Sequence, residues 1–94
     1  MSDDVAEADI RRADRARVFL GEGVFQEAWD ELEAQLMRQW RFSPANDHSG
    51  REEVFRTLRA MAGLRNVLDG FVQSGTIAQY TLEDIARDRL ITGQ

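Results

Sequence analysis

Apolar positions along the chain recur at spacings of three and four, the interval that gathers side chains on one face of a helix. The clearest stripe is Phe25, Ala28, Trp29, Leu32, Leu36 and Trp40; Glu27, Asp30, Glu31, Gln35 and Arg38 fall on the opposite side. It predicts an amphipathic helix from about Val24 to Arg41. Phe42-Ser43-Pro44 should end it, because a residue before proline is biased out of helical backbone. A second stripe of Val54, Phe55, Leu58, Met61, Ala62, Leu68 and Val72 is widened on one flank by Leu64, Val67 and Phe71. It predicts a further helix from about Gly50 to Gln73. Gly63 and Gly70 inside it cost helix propensity but permit close packing, and Ser74-Gly75 reads as its stop.

The ends of the chain carry thinner patterns. Ser2 is a candidate N-cap, and Asp3, Asp4 and Glu7 suit the positive end of a helix running from about Asp3 to Leu20. Ile10, Ala13, Arg17 and Leu20 share a face there, and Gly21-Glu22-Gly23 should break the helix. Residues 43–49 form a polar loop. Beyond it Ser49 and Glu52 fit a capping box, with Asp47 a rival cap. In the tail, Thr81 offers another helix start, with Leu82, Ile85, Ala86 and Leu90 along one side. Ile77 and Tyr80 belong either to that short helix or to a packed linker.

No segment alternates in the manner of a strand. The predicted fold is all-α: an antiparallel hairpin of the second and third helices with a flanking N-terminal helix and a short C-terminal helix. With 94 residues, the expectation is a single domain over 1–94. A domain of this length buries only about two-thirds of its unfolded surface, so association is a common way for it to gain core. Trp29 and Trp40, on one side of the same helix, are read either as core or as interface anchors.

Composition narrows the chemistry. There is no cysteine, which removes disulfides, thiolate nucleophiles and cysteine-based zinc sites. The single histidine, His48, sits in the polar loop, where a solvated ring is the ordinary outcome. Glu27 and Glu31, like Asp84 and Asp88, are spaced to share a hard cation, a spacing that a solvated helix face produces equally well. No phosphate-binding loop, dinucleotide fingerprint or calcium loop is present. The reading is therefore non-enzymatic, with no cofactor and no metal. The acidic, polar opening of the chain and the lack of a long apolar run predict a cytoplasmic protein without a secretory leader or membrane span.

All twelve basic residues are arginine, and the net charge is -5. Arginine makes planar, bidentate contacts that lysine cannot. Arg11, Arg12 and Arg15, with Arg17, are the candidate phosphate contacts, although Glu7, Asp9 and Asp14 among them suit a salt-bridged surface. DNA is thus a candidate ligand that the net charge does not favour. Candidate residues for an oligomer or partner interface are Phe25, Trp29, Leu36, Trp40, Leu64 and Phe71.

The run GVFQEAWDELEAQLMRQW, a polar loop and then GREEVFRTLRAMAGLRNVLDGFVQSGTIA resemble small helical proteins of tailed bacteriophages and prophages encoded near packaging and head genes. The likeness lies in Phe25 to Asp30, Trp40, Gly50 to Glu53 and Ser74-Gly75, and covers roughly residues 18–80. It implies a virion-assembly or DNA-packaging accessory that associates with itself, with another assembly protein or with the packaging motor. Small terminase subunits, which form rings through helical hairpins and recognise DNA, are one such class. This chain departs from them in lacking a separate DNA-binding domain. The alternative reading is an acidic inhibitor of host defence that mimics DNA.

Overall fold

A computed structural model describes the backbone of residues 2–92 and the side chains of residues 2–91. Within them the chain is all-helical, with three helices and no strand: α1 (Asp3–Gly21), α2 (Gly23–Phe42) and α3 (His48–Thr92).

Local chemistry accounts for most of the boundaries. The amide of Val5 donates to Ser2 Oγ at 3.3 Å, so Ser2 caps α1 as its position predicts. The glycine pair around Glu22 breaks the chain at a single residue. Glu22 alone is extended (φ -68°, ψ 125°), and its carbonyl already accepts the first bond of α2 from Gln26 N. Pro44 ends α2: Ser43 turns extended (φ -71°, ψ 143°), and its amide and hydroxyl both donate to the Trp40 carbonyl.

At the start of α3 the rival cap prevails. Gly50 N donates to Asp47 Oδ1 at 3.0 Å, and Arg51 N donates to the Asp47 carbonyl at 3.1 Å. Glu52, the expected partner in a capping box with Ser49, instead holds Arg56 at 2.8 Å. Gly50 leaves room for the capping carboxylate: a Cβ there would stand 2.9 Å from Asp47 Cγ.

The expected stop at Ser74-Gly75 and the separate short C-terminal helix are corrected. Helix α3 continues through both residues and is 45 residues long. No described glycine takes the left-handed φ that a glycine stop uses. Thr76 and Thr81 turn their hydroxyls back onto the Val72 and Ile77 carbonyls, so Thr81 is an interior residue and not a cap. Gly75 has a packing role: a Cβ on it would collide with the Ala13 methyl of α1 and stand 3.1 Å from the Asp9 carbonyl oxygen.

The chain divides into two compact units. The first comprises Met1–Phe19 and Leu68–Gln94, joining α1 to the second half of α3. Its buried residues are small: Ala6, Ala13 and Ala16 from α1, with Gly75 and Ala78 from α3. Small side chains let two helix backbones approach closely, which explains why Ala13 and Gly75 meet. Of the α1 face expected to pack, Ala13 is buried, Ile10 and Leu20 are half-buried and Arg17 is exposed. Arg17 reaches Asp14 at 2.8 Å and Thr76 Oγ1 at 3.4 Å.

The second unit comprises Leu20–Val67, joining α2 to the first half of α3. Leu36 and Val54 are its buried apolar side chains. Phe25 and Trp29 pack as a tilted aromatic pair with ring centroids 5.8 Å apart. Two α3 arginines lie over α2 tryptophans: Arg51 is 4.0 Å from the Trp40 ring centre and Arg65 is 5.8 Å from that of Trp29.

Candidate interaction surface

Of the six apolar residues singled out for an interface, five belong to one unit and Phe71 to the other. Leu36 is only 8% exposed and belongs to the core of its unit. Phe25 and Trp29 are half-buried against each other. Phe71 belongs to the other unit, half-buried with the Arg12 guanidinium 4.1 Å from its ring centre. Trp40 and Leu64 are exposed.

Around Trp40 the surface is concave. Trp40, Ala45, His48, Arg51, Glu52 and Phe55 line an open hollow of about 470 Å³. A smaller, almost wholly apolar hollow of about 170 Å³ lies beside it, lined by Met37, Trp40, Phe55 and Leu58. His48, expected in the loop, is the first residue of α3 and contributes to the wall of the larger hollow. These walls suit apolar and aromatic contact. The charged side chains lining them are a guanidinium already laid on Trp40 and a carboxylate already paired with Arg56.

The candidate phosphate contacts also diverge. Arg11 and Arg15 are exposed and share a shallow hollow with Asp14. Arg12 is drawn onto Phe71, its Nη2 lies 3.5 Å from Asp9 Oδ1, and its Nε is buried without a hydrogen-bond partner. A phosphate would therefore meet two arginines beside a carboxylate, and Arg12 would have to leave its ring to join them.

The use of arginine against aromatic rings is mostly invisible in the sequence. Among the described residues Arg12, Arg51, Arg59 and Arg65 lie over aromatic rings. The Phe55–Arg59 pair, four apart on a helix, carried a local signal. The others join residues from different helices and carried none.

Among the described residues no group of three or more acidic or histidine side chains is placed to hold a metal ion, and no helix is long and apolar enough to cross a membrane. No protein-family model, no curated protein and no solved structure matches the chain.

Proposed function

We propose that the protein works without catalysis, as a helical interaction protein that assembles with further copies of itself. One observation carries this reading. Among the described residues the buried hydrophobic side chains are four alanines, Leu36 and Val54, while residues as large as Phe42, Phe55, Leu64, Tyr80 and Leu90 are more than half exposed. Where such residues adjoin, as Phe55 does with Trp40, Met37 and Leu58, the apolar surface is of the kind that a partner covers. The α2 helix and the first half of α3 act in this reading as an antiparallel hairpin. In support, Arg51 near the start of α3 lies on Trp40 near the end of α2, and Arg65 farther along lies on Trp29 farther back.

The biological setting proposed is assembly or DNA packaging in a phage or prophage, in the host cytoplasm, with a further assembly protein or the packaging motor as partner. Support for it is the resemblance over roughly residues 18–80. Light scattering coupled to size exclusion, at low and high salt, tests the central claim. A defined oligomer of the 10.7 kDa chain is expected, and a monomer in both conditions would overturn it. Deleting the gene from its prophage should leave heads unassembled or unfilled.

A second reading, an acidic inhibitor that mimics DNA, has one observation in its favour: Glu27, Asp30, Glu31 and Glu33 stand on α2 with no arginine between them. Arg38 and Arg41 interrupt the acidic run before the helix ends. Displacement of DNA from a cationic DNA-binding protein would favour this reading over assembly.

A further inference from the structure

The outward side of α2 repeats its own heptad. Glu27, Glu31, Ala34, Arg38 and Arg41 recur at spacings of four and three, opposite the stripe that contains buried Leu36. The four charged residues are exposed and Ala34 is half-buried among them. Charge along this seam is divided. Acidic groups, Glu27, Asp30 and Glu31, occupy its first half, and basic groups, Arg38 and Arg41, occupy its second. A single small residue, Ala34, lies at the midpoint.

This arrangement is self-complementary under a two-fold rotation about Ala34. An antiparallel copy of α2 in that register sets Glu27 opposite Arg41 and Asp30 opposite Arg38, and repeats both pairs on the other side of the axis. Ala34 meets Ala34, where a methyl lets the backbones approach. Val24 and Phe42 are 78% and 79% exposed. Their separation of five helical turns puts them on one edge of the same side. The rotation brings Phe42 of one copy toward Val24 of the other, covering both. Parallel pairing would instead oppose like charges along the whole seam.

We propose that the outward face of α2 is a two-fold interface on which a second copy of this chain docks antiparallel, centred on Ala34. The proposal rests on the self-assembly reading and names the face, orientation and symmetry of the contact. An isologous contact of this kind closes on itself and yields a dimer. Among the described residues Glu27 and Arg41 have no ion-pair partner within the chain. Glu31 and Arg38 pair at 3.4 Å with both side chains more than half exposed, and Glu31 also accepts from Gln35 Nε2 at 3.2 Å. Docking therefore gives Glu27 and Arg41 partners without breaking a buried pair.

The test uses the full chain in two charge-reversed forms, Arg38→Glu/Arg41→Glu and Glu27→Arg/Asp30→Arg, with helix content checked by circular dichroism. All four positions are exposed, so both forms should fold. Each alone should dissociate with a dimer Kd raised at least about tenfold, because its seam now opposes like charges. Mixed in equal amounts, the two should associate with each other as tightly as the unaltered chain associates with itself. As a check on register, Ala34→Cys places the only cysteine of the chain on the axis. A short bismaleimide should link it into a covalent dimer, whereas Ala45→Cys should stay unlinked. If the unaltered chain is oligomeric and both reversed forms keep its mass, or do not pair on mixing, the α2 interface is wrong while self-assembly stands. If the unaltered chain is monomeric at every concentration and salt, self-assembly fails and the interface with it.

Discussion

Gly75 of α3 lies so close to Ala13 of α1 that a methyl on the glycine would occupy the space of the alanine side chain. Two features of the sequence meet in this contact. An alanine-rich face on α1 supplies no bulk, and a glycine in the middle of α3 supplies no side chain. The fully buried side chains of the unit are small, and larger apolar residues such as Ile10, Leu68, Phe71 and Val72 are half-buried around them.

The contact reverses an ordinary expectation. Replacing glycine by alanine inside an exposed helix gains about 0.5–1 kcal/mol from propensity. Gly63→Ala should show that gain, because a Cβ there meets nothing within 4 Å. Gly75→Ala should instead destabilise by about 1–3 kcal/mol, the usual cost of overpacking, because the Ala13 methyl is too short to swing aside. Urea unfolding of the two variants side by side checks the opposite signs.

Much of the fold was legible because its causes are local. Pro44 fixes the end of α2 within two residues, Ser2 caps α1 from its own sequence neighbourhood, and the stripe from Phe25 to Trp40 marks α2 unaided. What escaped depends on residues far apart in sequence. Gly75 reads as a stop, and its packing role appears only when Ala13 is set against it. Leu36, Trp40 and Leu64 read alike as large apolar residues, yet Leu36 is core while Trp40 and Leu64 are exposed, since hydrophobicity alone does not distinguish inward from outward stripes. Arg12 reads as one of a cationic cluster, and only the packing of α1 shows it turned onto Phe71.

Asp47 should matter more than Ser49 at the start of α3. Its carboxylate accepts the Gly50 amide at 3.0 Å, a bond that alanine cannot make. Asp47→Ala should cost about 1 kcal/mol, and Ser49→Ala distinctly less. Chemical denaturation midpoints compare them directly, and equal losses would return the cap to Ser49.

The guanidinium of Arg51, 4.0 Å from the Trp40 ring centre, should couple the two residues energetically. A double-mutant cycle of Arg51→Ala and Trp40→Ala is expected to give about 0.5–1 kcal/mol, the range of an exposed cation–π pair. The single Trp40→Ala variant should lose more than the coupling energy, because Trp40 also lines the apolar hollow with Met37, Phe55 and Leu58. A coupling near zero would mean that the contact is incidental packing of a long side chain.

Val54 and Phe42 separate folding from association. Val54 is 3% exposed, and trimming it to alanine leaves a cavity that should cost about 1–3 kcal/mol of stability. Phe42 is 79% exposed, so trimming it should change the stability of an isolated chain by no more than about 0.5 kcal/mol. If Phe42 is covered by a second copy, the same truncation removes apolar area from the contact and lowers the fraction of assembled protein at a given concentration. Unfolding should therefore be measured at high dilution and assembly by sedimentation at high concentration. Val54→Ala should move the first quantity and Phe42→Ala the second. A Phe42 variant that sediments like the unaltered chain would place the covered surface elsewhere, with the hollow around Trp40 the next face to probe.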